Sequence, residues 1–129
     1  MAWTWEQDTG ICRTPDGMIH GTGYSGAGPG KNNPALQEAH AVGPIPVGLW
    51  RIGPPEDRPT TGPYSLPLSP YPETDTFGRT EFYLHGDSIS APGMASHGCP
   101  VLSPEALRQA VWNSSDHDLR VVADEDFWP

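Results

Sequence analysis

Apolar and polar side chains alternate from the start of the chain: Trp3, Thr4, Trp5, Glu6 has the two-residue period of a strand. A turn follows at Thr9-Gly10. Ile11 to Arg13 and Met18 to His20 then flank Thr14-Pro15-Asp16-Gly17. There proline presets φ and glycine accepts the left-handed region, which predicts a hairpin. Residues 21–34, GTGYSGAGPGKNNP, are too rich in Gly and Asn for a buried element and read as a long loop. Val47, Leu49, Trp50 and Ile52 predict a central strand within GPIPVGLWRIG. Seven prolines from Pro54 to Pro72 come next. Because proline cannot donate to a ladder, this stretch is expected to be irregular or at a sheet edge.

Alternation returns from Thr80 to His85, with Phe82 and Leu84 on one face and Glu81, Tyr83 and His85 on the other. After Ser103 the period changes. Ser103-Pro104-Glu105 offers an N-cap, a proline at the first helical position and an acid at the positive end of the dipole. Leu102 and Leu107 stand at hydrophobic-staple positions. Leu107, Ala110, Val111 and Ser114 form the apolar stripe of a helix over 104–113 that ends at Asn113-Ser114-Ser115. Asp118 to Ala123 predicts a closing strand, and the acidic ending ADEDFWP reads as a solvated tail or the end of that strand. The pattern as a whole predicts one domain over 1–129, mostly β with a minor α component and one main helix.

A chain with 15 Gly and 16 Pro in 129 residues invites a disordered reading, but 5 Trp, 4 Tyr and 3 Phe spread along its length supply material for a core. The formal charge of -9, with one Lys and six Arg, leaves no basic cluster to follow phosphates. Nucleic acid and anionic membrane surfaces are therefore excluded as partners. No apolar run approaches the ~20 residues of a bilayer span, which argues against membrane insertion. The start, MAWTWEQDTG, lacks the basic and apolar regions of a signal peptide, so synthesis without a signal peptide in the cytoplasm is expected. Cys12 and Cys99 allow either one disulfide or two free thiols. Cys12, inside the predicted hairpin, reads as a packed thiol.

The residues with chemical potential gather in HGDSISAPGMASHGCPVLS, His85 to Ser103. His97 and Cys99 are two apart, so extended backbone points both the same way. A nearby imidazole favours the thiolate, the reactive form. Gly98 lets a carbonyl approach the main chain, where the Gly98 and Cys99 N–H groups can hold an oxyanion. His85 ends a predicted strand, and the loop from Asp87 to Ser96 can fold back to bring it to Cys99. On these residues alone three readings stay open: a thiol nucleophile with its base, a small buried cysteine in a turn-rich loop, and a zinc site. The zinc site would use His85, His97 and Cys99, and it lacks a C-x-x-C pair and an evident fourth ligand. His20 and Tyr24 flank the Gly-rich turn and read as cleft-lining or structural. No cofactor is called for.

HG followed by a loop and SHGC resembles the active-site signature of the L,D-transpeptidase catalytic domain, and Pro46-Val47-Gly48 with Ile52 resembles its upstream strand. GYSGAGPGKNNP, GPIP and FYLHG…SHGC together are similar to the type VI secretion L,D-transpeptidase effectors, antibacterial toxins that act on peptidoglycan in a rival's periplasm. The resemblance runs from about Trp5 through the helix. It implies an L,D-transpeptidase-like β-sandwich or barrel with the helix after the nucleophile. It also implies a cysteine acyl transferase that cleaves or exchanges the terminal D-Ala of stem tetrapeptides, with Cys99 as nucleophile and His85 as base. The Gly86 carbonyl would orient His85, Gly98 and Cys99 would form the oxyanion hole, and Ser96 and His97 would shape the site. Tyr24, Ser25 and Asn33 become candidate substrate-binding residues. The implied partners are peptidoglycan stem peptides, a D-amino acid acceptor, a cognate immunity protein and the secretion machinery. A catalytically weak peptidoglycan- or protein-binding module of the same fold is the alternative. One departure stands out. The family follows its cysteine with an apolar residue and an Arg, whereas Pro100 and Val101 occupy those positions here, leaving Lys31, Arg51 or Arg79 to meet a substrate carboxylate.

Overall fold

The computed structural model describes residues 1–124. Its strands are β1 (Trp3–Glu6), β2 (Ile11–Arg13), β3 (Ile19–Thr22), β4 (Tyr24–Ser25), β5 (Gly48–Ile52), β6 (Glu56–Arg58), β7 (Gly62–Pro70), β8 (Phe82–Leu84), β9 (Pro100–Val101) and β10 (Asp118–Val122), with one α-helix, α1 (Glu105–Asn113). The main sheet runs β3-β2-β1-β10-β5-β7-β6, with β8 on the other side of β7. It is a mostly β architecture, a curled half-barrel with a single helix. A second, two-stranded sheet pairs β4 with β9.

The hairpin expected around residues 14–17 is present, closed by bonds from the Thr14 N–H to the Met18 carbonyl and from the Gly17 N–H to the Thr14 carbonyl. β5 is central, between β10 and β7. The strand expected over 118–123 does more than close the sheet. β10 lies between β1 and β5, parallel to β1 with Trp3 opposite Leu119 and Trp5 opposite Val121, and antiparallel to β5.

Two expectations are corrected. The loop over 21–34 begins later than its composition suggested, because residues up to Thr22 belong to β3 and Tyr24–Ser25 form β4. Most of the proline-rich stretch, moreover, is strand. β7 is the longest strand and is paired on both sides, to β5 and β6 on one and to β8 on the other. Its prolines are placed where a missing N–H does little harm. Pro67 meets the break between β5 and β6 and still accepts from the Gly53 N–H. Pro70 faces the other edge from Tyr71, whose N–H bonds the Leu49 carbonyl, and there β8 has already ended.

Trp5, Trp50, Ile45, Leu66, Leu84, Leu102, Leu119 and Val121 form the core, closed on one side by Val111 of α1. The buried Trp3, Trp5 and Trp50 are core material, as their aromatic character suggested, while Trp128 and the rest of the ending 125–129 lie outside the described residues. The helix departs in detail from its expected form. Pro104 holds the N-cap position with no side-chain cap, and the Ser103 hydroxyl instead accepts from the Asp87 N–H at 2.8 Å. Ala110 is exposed, and the inward face consists of Leu107, Arg108 and Val111. Arg108 is the surprise of that face: a charged residue aimed inward, held by main-chain carbonyls.

Leu66, fully buried at the middle of β7, tests the assignment of that strand to the core. Leu66→Ala is expected to lower stability by about 2–5 kcal/mol, read by urea unfolding; an exposed or edge position would lose well under 1 kcal/mol by the same measure.

Candidate active site

His85 and Cys99 come from neighbouring backbone segments. β8 runs out at Leu84, and His85 bridges in parallel to Val101, its N–H bonding the Pro100 carbonyl and its own carbonyl accepting from the Leu102 N–H. This pairing covers His85, which is 3% exposed although its alternation places it on the same face as Glu81 and Tyr83. The imidazole Nδ1 lies 2.8 Å from the Gly86 carbonyl oxygen. A carbonyl can only accept, so Nδ1 carries the proton and Nε2 keeps its lone pair. Burial holds the imidazole below its ordinary value. The Gly86 carbonyl and Asp87 work against that and Arg108 with it. The ring is thus neutral at neutral pH, the form a general base needs.

Cys99 is half-buried, at the wall of a cavity of about 340 Å³ lined by His40, Arg79, Glu81, His97 and Gly98 among others. Its sulfur accepts from the Tyr83 N–H at 3.3 Å and lies 3.5 Å from the Glu81 carbonyl. Burial pushes the thiol above its ordinary value, opposed by the Tyr83 N–H and by the charges of Arg79 and Arg58. Such a thiol is mostly protonated at neutral pH and needs a base for attack. His85 opens into a second cavity, of about 720 Å³, with Gly86, Asp87, Ser103, Glu105 and Arg108. The exposed His97 lines both cavities. No hydrogen bond joins His85 to Cys99 among the described residues; Cys99 lines the smaller cavity, His85 the larger, and His97 lines both.

Ser96 and Ser25 fix the loop. Ser96 Oγ accepts from the Gly26 and Gly98 N–H groups and donates to the Cys99 carbonyl at 2.6 Å. Ser25 Oγ donates to the Gly98 carbonyl at 2.7 Å and accepts from the Ile45 N–H. The Gly98 N–H is therefore already engaged, whereas the Cys99 N–H has no acceptor among the described residues. Gly98 itself sits at φ +140, and a Cβ there would fall 2.3 Å from Arg79 Nη2, so only glycine fits between the loop and that guanidinium.

The three candidate substrate-binding residues are engaged elsewhere. Ser25 is fully buried. Tyr24 donates to Asp87 Oδ1 at 2.6 Å and accepts from the Ala95 N–H, anchoring the 87–96 loop; burial and Asp87 push its phenol up to about 12. Asn33 caps a 3₁₀ turn, accepting from the Ala35 N–H and donating to the Pro29 carbonyl. None of the three lines either cavity. His20 bonds the Leu107 carbonyl and packs edge-on against Trp3, a structural role.

Among the candidate cations, Lys31 bonds the Gly93 carbonyl over the Tyr24 ring, and Arg51 bonds Tyr71 Oη on β5. Arg79 alone of the three lines the Cys99 cavity, buried and bonded to the carbonyls of Gln37, Gly43 and Pro44. Sequence reasoning missed Arg108, because a helix pattern read for apolar residues discards an inward arginine. Both cysteines are free. No group of three or more His, Cys, Asp or Glu side chains among the described residues is arranged to hold a metal ion.

Cys12 is 1% exposed, and burial pushes its thiol up to about 12. Iodoacetamide is expected to add once to the native chain, at Cys99, and twice after unfolding, counted by intact mass. The Cys99 rate should still be rising at pH 9, since its thiol is raised; a plateau below pH 8 would contradict this.

Comparison with curated proteins and with solved structures returned no match. No helix of the described residues is long and apolar enough to cross a membrane. The family described as the Tlde1 domain matches residues 20–124, a span that holds both cavities, the Ser25 and Ser96 ties and α1. The chain belongs to the Tlde1 domain family, a family of type VI secretion effectors.

Proposed function

We propose that this chain is a cysteine L,D-transpeptidase and L,D-carboxypeptidase acting on peptidoglycan stem tetrapeptides in the periplasm of a target cell. The observation that carries the reading is a half-buried thiol on a cavity wall beside a segment whose buried, neutral imidazole bridges to Val101, two residues beyond Cys99. Membership of a type VI effector family supports delivery into a rival and, with it, a cognate immunity protein and the secretion machinery as partners.

In this mechanism the Cys99 sulfur attacks the carbonyl that precedes the terminal D-Ala, and its proton passes to His85 Nε2 as the two groups close on the bound peptide. The imidazolium keeps its Nδ1–H on the Gly86 carbonyl throughout. The oxyanion meets the Cys99 N–H, which has no acceptor among the described residues, with the Arg79 charge beside it. Collapse breaks the peptide C–N bond, His85 returns the proton to the departing amine, and D-Ala leaves a thioester on Cys99. Water then gives trimming, and the amine of a D-amino acid gives exchange. Either outcome removes tetrapeptide donors that cross-linking requires.

Incubation with a disaccharide tetrapeptide, with and without D-Met, followed by mass analysis, tests the reading. Loss of D-Ala or its replacement is expected, abolished in Cys99→Ala and lowered at least about 100-fold in His85→Gln. A folded protein with a free thiol and no turnover would sink it. The pH profile carries a second expectation. Because burial depresses the His85 value below 6.5, kcat/KM should hold as pH falls to 6.5 and be lost only below it, as the imidazole charges.

A further inference from the structure

Two cations act on the Cys99 thiol, Arg79 and Arg58, and they are held in different ways. Arg79 is tied to three main-chain carbonyls. Arg58 rests on an aromatic ring. It stands on β6 opposite Gly62 of β7, while β8 pairs with the other side of β7. The side chain crosses that strand, and its guanidinium lies over the Tyr83 ring, 4.1 Å from the centroid. Its Nε is buried with no acceptor among the described residues. Glu56 approaches its Nη1 at 3.5 Å from a side chain that is 46% exposed, so water screens that pair. The ring, more than any hydrogen bond, gives the guanidinium its place.

Tyr83 is also the residue that holds the thiol. Its N–H donates to Cys99 Sγ at 3.3 Å. Ring and N–H belong to the middle residue of β8, a strand of three, so a group clamped on the ring steadies the donor too. The segment after the thiol, Pro100-Val101, brings no cation of its own. Burial is the largest influence on Cys99 and raises its thiol; the Tyr83 N–H, Arg79 and Arg58 oppose it, and Glu81 adds to it. His40 and His97 line the same cavity.

We infer that Arg58 is a positioning residue for Cys99: clamped on the Tyr83 ring, it keeps the Tyr83 N–H on the sulfur and sets a positive charge near the thiolate as it forms. Its use in attack rests on the acyl-transfer reading above, because there the sulfur must gain negative charge before it reaches the carbonyl. The stack ties that chemistry to β6, a strand that contributes no residue to the Cys99 cavity.

The test follows the rate of iodoacetamide addition to Cys99 in the full-length chain across pH, by intact mass; a fit gives a midpoint and a limiting rate. In Arg58→Gln the midpoint is expected to rise by about 0.5 pH unit or more, slowing addition at neutral pH about threefold with the limiting rate little changed. Arg58→Lys, which keeps the charge without the planar stack, should fall between the two. Arg120→Gln removes the same charge from an exposed position on β10 and should leave the midpoint where it is. No shift in a folded Arg58→Gln, an equal shift in Arg120→Gln, or a changed limiting rate at an unmoved midpoint overturns the inference. If Arg58→Gln does not fold, Tyr83→Leu decides, since it removes the ring and leaves the arginine; its midpoint should rise, and an unmoved one overturns the inference as well. Labelling needs no peptide, so the two failures separate. A raised midpoint without D-Ala release removes the reaction and keeps the role of Arg58, whereas D-Ala release with an unmoved midpoint does the reverse.

Discussion

Ser25 Oγ and Ser96 Oγ fold the segment around Cys99 onto itself and bind it to the backbone of residues 25–26 and 45 through bonds that are almost all buried. Both side chains are buried, at 0% and 2% exposure, and Ser96 uses every site a hydroxyl has, two accepted bonds and one donated. Removing either oxygen would strand buried main-chain groups, at roughly 1–3 kcal/mol for each group left unpaired. The path of residues 96–101 depends on these two atoms: with them the Cys99 sulfur meets the Tyr83 N–H and β9 settles beside His85. The thiol and the imidazole are thus held by packing that forms with the fold rather than by contact with each other.

A second constraint is electrostatic. The protein is acidic overall, yet it buries positive charge next to both Cys99 and His85, Arg79 by the thiol and Arg108 by the imidazole. Arg79 works against the burial that raises the thiol, and Arg108 adds to the burial that keeps the imidazole neutral.

Much of this was legible in the chain before any coordinates. Two-residue alternation located β1, β5 and β8, the Pro-Asp-Gly turn located the hairpin, and the change of period after Ser103 located the helix. The prolines misled, because pattern alone cannot tell which edge a missing N–H faces; Pro67 and Pro70 are tolerated in β7 only through their register against Gly53 and the end of β8. At the candidate site, the spacing of His85, Gly98 and Cys99 singled out a loop that the structure brings to two cavities. It could not distinguish polar side chains that line a cavity from those that build its walls. Tyr24, Ser25 and Asn33 read as binding residues for their chemistry, and their partners turn out to be the protein's own backbone and Asp87. Arg108 escaped for the converse reason: its three carbonyl partners lie at 63, 64 and 102, a convergence that no local spacing encodes.

The parallel pairing of β1 with β10 has a consequence in time rather than in space. β10 sits between β1 and β5, so the middle of the main sheet is absent until residues 118–122 arrive, more than a hundred positions after β1. Closing such distant contacts is slow and comes late in folding. A nascent chain still on the ribosome has the Cys99 segment at 96–101 already made but the sheet under it unfinished. The Cys99 segment therefore gains the sheet beneath it only after synthesis has passed Val122.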